Sequence, residues 1–196
     1  MHRLVNIVIG SGGLAVAAGC GGSPRPQIGP TPETTVSVPP PTHLDSAFVL
    51  ESGGAQPEDT TVALVPGGAR TIILRRGDPD NSLFARLVIP AAATSGPDSV
   101  RLTLRPRPGL YGLDLEVDGS LGQGAELTMS YAVHFVAPAG ARTRYGSDLG
   151  FERALSLAQA LPDGRLTFLP TTRPGSDLVT AILPGPGRYL VAAPRS

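Results

Sequence analysis

Few side chains in this 196-residue sequence offer reactive chemistry. There is one cysteine, Cys20, and three histidines, His2, His43 and His134. A lone histidine with no cysteine beside it is a poor basis for a transition-metal site. Ser130, His134 and Asp148 supply the residue types of a nucleophile, a base and an orienting acid. No Gly-x-Ser-x-Gly elbow holds Ser130, so His134 reads as a polar-face strand residue. Asp78-Pro79-Asp80-Asn81-Ser82 has the spacing that opens a calcium loop. Leu83 stands where that loop needs glycine and Ile89 where it needs glutamate, which makes a polar turn the simpler reading and a weak calcium site near Asp78 and Asp80 the other. Asp114, Glu116 and Asp118 share one strand face, and paired carboxylates hydrolyse glycosides. Arginines adjoin them, so salt-bridged rungs are the simpler reading. No catalytic, cofactor-binding or metal-binding residue is assigned.

The elements that would position these groups are short strands. Val100, Leu102 and Leu104 alternate with Arg101, Thr103 and Arg105. Leu113, Leu115 and Val117 alternate with Asp114, Glu116 and Asp118. Paired as a hairpin, one register sets Arg105 opposite Asp114, Thr103 opposite Glu116 and Arg101 opposite Asp118. Alternation also marks 83–89, ended by Pro90, and a long run over 125–136. In that run Leu127, Met129, Tyr131, Val133 and Phe135 face the core, with Glu126, Thr128, Ser130 and His134 opposite. Runs at 47–50, 61–65, 71–74, 166–169, 178–183 and 188–192 complete the set, with Pro66-Gly67-Gly68 a turn signal between the second and third. Residues 151–161 suit helix or strand; the turn Pro162-Asp163-Gly164 and the alternation after it favour strand.

Glycine (25) and proline (21) are abundant and punctuate these runs. About ten short strands at even spacing predict an all-β fold, an antiparallel β-sandwich. The net charge is +0 and aromatics make up 5% of the chain, which argues against a nucleic-acid partner. All 16 basic residues are arginine, which coding bias explains.

The first twenty residues have a charged start (His2, Arg3), an apolar middle and a small-residue exit, the layout of a signal peptide. The apolar stretch is shorter than the roughly 20 residues of a spanning helix. Leu14-Ala15-Val16-Ala17-Ala18-Gly19-Cys20 resembles the lipobox of bacterial lipoproteins, with Ala17 where leucine is usual. The resemblance implies cleavage before Cys20, a thioether-linked diacylglycerol on its sulfur and an amide-linked acyl chain, palmitate-like in class. Two or three chains anchor firmly, at about 0.8 kcal/mol per buried CH₂. The membrane is then one partner, through Cys20. Gly21 rather than Asp after the cysteine implies the outer membrane where there are two. The alternative is ordinary cleavage after Ala17, leaving Cys20 an unpaired thiol.

Between Cys20 and His43 lie Pro24, Pro26, Pro30, Pro32, Pro39, Pro40 and Pro41. Such a stretch buries too little to fold and spaces the domain from its anchor at about 3.1 Å per residue. His43, at its end, reads as solvated. The expected organisation is therefore 1–19 signal peptide, 20–43 lipid-anchored tether and 44–196 β-sandwich.

Leu87-Val88-Ile89-Pro90-Ala91-Ala92-Ala93, Ala125-Glu126-Leu127-Thr128-Met129-Ser130-Tyr131, Gly164-Arg165-Leu166, Leu169-Pro170 and Arg188-Tyr189 look like the β-sandwich interaction domain of ankyrins, netrin receptors and tight-junction scaffolds. The likeness spans 67–193. Ala92 replaces a glycine, and a Gly-Pro linker stands where His-Phe-Ser is usual. It implies a non-catalytic interaction module. The expectation is a lipid-anchored cell-envelope protein that binds or braces an envelope protein or polymer, without a cofactor; the alternative is an anchored hydrolase working through carboxylates.

Overall fold

The computed structural model of the chain describes residues 40–96, 98–131 and 135–195. The signal segment, Cys20, the tether up to residue 39, Val133 and His134 lie outside the described residues.

The described chain is mostly strand, in antiparallel sheets. Its strands are β1 (Thr42–His43), β2 (Ala47–Val49), β3 (Glu51–Ser52), β4 (Thr60–Leu64), β5 (Arg70–Arg75), β6 (Leu83–Ile89), β7 (Val100–Pro106), β8 (Gly112–Asp118), β9 (Glu126–Ser130), β10 (Phe135–Val136), β11 (Ser156–Ala160), β12 (Arg165–Phe168), β13 (Leu178–Ile182) and β14 (Gly187–Pro194). Ten of them have four residues or more, and the run at 47–50 gives the three-residue β2. The larger sheet runs β1-β12-β11-β14-β8-β7-β4, with β2 also on β14; the smaller runs β13-β9-β6-β5. The all-β sandwich is thus the observed architecture.

Alternation explains the layering. Leu102 and Leu104 of β7, Leu113 and Leu115 of β8, and Tyr189 and Val191 of β14 point inward from the larger sheet. They meet Ile72, Leu74, Leu87, Leu127, Met129 and Val179 of the smaller one in a single core. Strand β14 is apolar on both sides: Leu190 and Ala192 join Ala47, Ala158, Leu166 and Phe168 in a second cluster on the opposite face. Gly112 lies against it, and a Cβ there would come within 2.6 Å of the Leu190 side chain and 3.2 Å of the Tyr189 carbonyl.

The hairpin of β7 and β8 has the register the sequence implied: Arg105 opposite Asp114, Thr103 opposite Glu116, Arg101 opposite Asp118. Other expectations are corrected. Residues 125–136 are not one strand. Strand β9 stops at Ser130, and Phe135–Val136 form the separate strand β10, which pairs with β3. Nor is the outer side of β9 simply polar surface. Thr128 and Ser130 are buried, and the Thr128 hydroxyl bonds that of Thr180, 2.9 Å away on β13. Residues 151–161 are not a strand throughout. Helix α1 (Ala141–Tyr145) and helix α2 (Asp148–Ala154) precede β11. The Ser147 side chain caps α2 by accepting from Gly150 N at 3.0 Å, and Phe151 packs against Phe48, Phe135 and Tyr145. His43 is exposed, but its backbone pairs with Arg165, so the sheet begins inside the segment read as tether.

Candidate functional site

Strands β4 and β5 are consecutive but belong to different sheets. The turn at 65–69 carries the chain from the margin of the larger sheet to the margin of the smaller one. Gly67 adopts φ +70, where a side chain would be strained. Its N–H donates to the Thr94 carbonyl at 2.7 Å, and the Thr94 hydroxyl donates to the Gly68 carbonyl at 3.0 Å. Among the described residues each margin is therefore paired on one side only, β4 with β7 and β5 with β6. Between them lies a crevice of about 380 Å³, lined by Pro57, Glu58, Thr60, Ile73, Arg75 and Asn81 among others.

Arg76 forms the floor and is only 3% exposed. Ile72, Leu74 and Arg76 share strand parity, so the alternation that buries the first two also buries the third. Its guanidinium carbon lies 5.3 Å from the Phe84 ring centre and 5.1 Å from that of Tyr111. One N–H group donates to the Ser52 hydroxyl at 3.1 Å and to the Ala55 carbonyl at 3.3 Å, and Nε is 3.8 Å from the Asp80 carboxylate. Ring faces, hydrogen bonds and a counter-charge together offset the cost of burying the cation. Burial pushes the Tyr111 phenol up, and the neighbouring Arg76 charge opposes that rise. Arg76 is held from several sides and works as a structural pin. A shift in pairing at Leu74/Arg75 passes over Phe84, which lets both Phe84 and Ala85 point inward beneath it.

The rim is different. Arg70 and Arg75 are exposed, and among the described residues neither has a carboxylate within ion-pairing distance. Arg75 donates only to the Asn81 carbonyl, at 3.2 Å. Arg86 lies directly across from Ile73, which is 50% exposed, and reaches only the Thr128 hydroxyl at 3.5 Å.

Of the acids singled out from the sequence, Asp114 and Glu116 lie elsewhere and are occupied. Asp114 accepts from Arg107 at 3.1 Å and from Arg188 at 2.9 Å. Glu116 binds Arg105 through both oxygens, at 3.1 and 3.0 Å, and Arg105 also reaches Asp59 at 3.2 Å. Asp118 sits opposite Arg101. Asp148 pairs with Arg142, whose guanidinium holds its carboxyl below the usual range. Ser130 is buried on β9. The 78–82 segment is a turn between β5 and β6, and Asp80 faces Arg76. Among the described residues no three His, Cys, Asp or Glu side chains gather as a metal site.

A second polar cluster lies near α2. The Tyr131 hydroxyl accepts from Arg173 at 2.8 Å and donates to the Ser176 carbonyl at 2.8 Å. Arg173 also donates to the Glu152 carbonyl at 2.7 Å and to that of Leu155. The neighbouring cavity, lined by Tyr131, Phe135, Glu152 and Asp177, is only about 190 Å³, and the cluster satisfies itself. No family model, curated protein or solved structure matches this chain.

Proposed function

We propose that this chain is a lipid-anchored protein of the bacterial cell envelope whose β-sandwich is a non-catalytic binding or scaffolding module. The observation that supports binding is the double margin at β4 and β5, unpaired among the described residues, with exposed arginines at its rim that form no ion pair with any described carboxylate. Unpaired strand edges are where proteins add partners. The hydrolase alternative has less to stand on, because Asp114 and Glu116 are spent on arginines. The likeness of 67–193 to ankyrin-type interaction sandwiches points the same way. Anchoring rests on the lipobox-like Leu14–Cys20 stretch, with the outer membrane as the site in a two-membrane organism.

The test is cross-linking in native membranes, comparing the natural chain with Cys20→Ala. The reading expects acyl labelling at Cys20 and one abundant envelope protein or polymer captured, both lost in the variant. A Cys20→Ala chain that stays membrane-bound, with no captured component, would overturn it.

A further inference from the structure

The inference rests on the binding role just stated and names the partner. We propose that β5 accepts an extended acidic peptide segment, which adds to the smaller sheet as a further strand.

The geometry comes first. Strand β5 is six residues, Arg70–Arg75, and pairs on one side only, with β6. Among the described residues no other backbone group bonds to it. At about 3.3 Å per residue the free ladder is about 20 Å long. Residues 70–74 are regular, since the register shift lies at Leu74/Arg75. Natural edges are blunted by proline, bulges or inward charges, and β5 has none of these along 70–74. Its Thr71, Ile72 and Ile73 are β-branched residues suited to a ladder.

Charge then selects the guest. Arg70 and Arg75 close the two ends of the strand, and Arg86 stands beside Ile73 on the outer face. All three lack a carboxylate partner among the described residues. A strand laid against β5 would set one row of side chains inward, beside Ile72 and Leu74, and the other row outward, beside Ile73 and toward Arg75 and Arg86. Aliphatic and acidic residues in alternation fit both demands. Glu58 and Asp78 line the crevice at the Arg75 end. The guest's acids therefore belong on the outward row, beside Ile73 and toward Arg86, rather than beyond Arg75. The margin of β4 is a poorer site, because Glu58 and Asp59 stand at its entrance.

A second copy of the chain fits badly. Antiparallel self-pairing, centred on Ile72 or Ile73 so that opposite residues share a face, gathers the Arg70, Arg75 and Arg86 side chains of both copies along one seam, and like charges brought together are unfavourable. The same arginines thus discourage self-association and invite an acidic strand.

The test uses the full chain in detergent micelles and a fluorescent Val-Glu-Val-Glu-Val-Glu-Val peptide, read by anisotropy. Saturable binding is expected. It should weaken at least about tenfold in an Arg70→Glu/Arg75→Glu variant and with a Val-Lys version of the peptide. It should also weaken at least about tenfold when the central residue is proline, which cannot complete the ladder. Both substitutions are at exposed positions, and an unchanged melting temperature confirms that the variant is folded. Equal binding of the proline peptide overturns the proposal, as does equal binding to the charge-reversed variant or no saturable binding below about 1 mM. A dimer of the natural chain that the double variant abolishes also overturns it, in favour of a second copy. A photo-cross-linker at Ile73 in native membranes separates this proposal from the wider one. A partner captured by the chain, but never through Ile73, leaves the binding role standing and removes the strand addition.

Discussion

The face of β7 and β8 and the margin of β5 are built from the same materials and behave differently. Both carry arginines on regular strands. On β7–β8 the neighbouring strands supply carboxylates, so Arg105 and Arg107 are tied down by Glu116, Asp59 and Asp114. On β5 the neighbour supplies Arg86 instead, and among the described residues no strand lies on the other side of β5. Arg76, one residue past β5, is a third case, a cation withdrawn from water and held by two rings. The difference lies in what the fold puts beside each guanidinium.

The strongest way to break this contrast is to remove the buried member. Arg76→Ala leaves a cavity between Phe84 and Tyr111 and strands the Asp80 charge, at an expected cost of about 3–5 kcal/mol in urea unfolding. Arg76→Met, which refills the space, should recover part of it. A loss below about 1 kcal/mol would show that the pin is dispensable.

Alkaline pH tests the buried phenols next. Burial pushes the Tyr189 hydroxyl up to about 12, against an ordinary 10.0, with the Gly185 carbonyl bond opposing the rise. Below pH 10 both folded and unfolded chains hold the proton, so this group adds no pH dependence. Between pH 10 and about 12 the unfolded chain releases it and the folded one does not, so stability falls as pH rises. Tyr111, Tyr131 and Tyr145 shift the same way. Urea midpoints should drop across this window, less steeply in Tyr189→Phe. A flat profile would contradict the burial of these rings.

Tyr131→Phe removes the hydroxyl that joins Arg173 to the Ser176 carbonyl, and should cost about 1–2 kcal/mol by the same measurement. Asp114→Asn, at the crossing of Arg107 and Arg188, should cost about 0.5–1 kcal/mol at low salt and less at high salt. Arg70→Ala should change stability by less than about 0.5 kcal/mol, since nothing in the fold leans on it. A large effect there would mean that the β5 rim is structural, and the contrast would collapse.

How much of this the sequence disclosed depends on whether a residue's neighbours are near in the chain. The β7–β8 register was legible because a hairpin joins strands whose alternation and charges constrain each other across a short loop. The run 125–136 misled because alternation reports which way a side chain points, not which strand lies alongside. Tyr131 N bonds the Asp177 carbonyl, and Phe135 pairs with Ser52, with no break in pattern between them. In 151–161 the deciding signal, the Ser147 cap, lay upstream of the ambiguous stretch. The crevice was invisible for a similar reason. Pro66-Gly67-Gly68 announces a turn, and nothing local tells a hairpin from a change of sheet. Arg76 was readable by parity with Ile72 and Leu74, but charge argues against burial until Phe84 and Tyr111 are seen.

Strand β1 lies at one margin of the larger sheet and β4 at the other. Six strand spacings of about 4.8 Å separate them, about 29 Å in all. A domain held on its N-terminal side and gripped at β5, which the 65–69 turn joins to that far margin, would be pulled across the strands of the larger sheet, not along them. Tension in that direction opens hydrogen bonds one pair at a time, from the outside inward. Thr42 and His43 are the whole of β1 and would give way first, letting out about 7 Å of slack while the five-residue ladder between β11 and β14 stays closed. Under the proposed anchor and partner, the domain would have a short extensible lead in series with a stiff body.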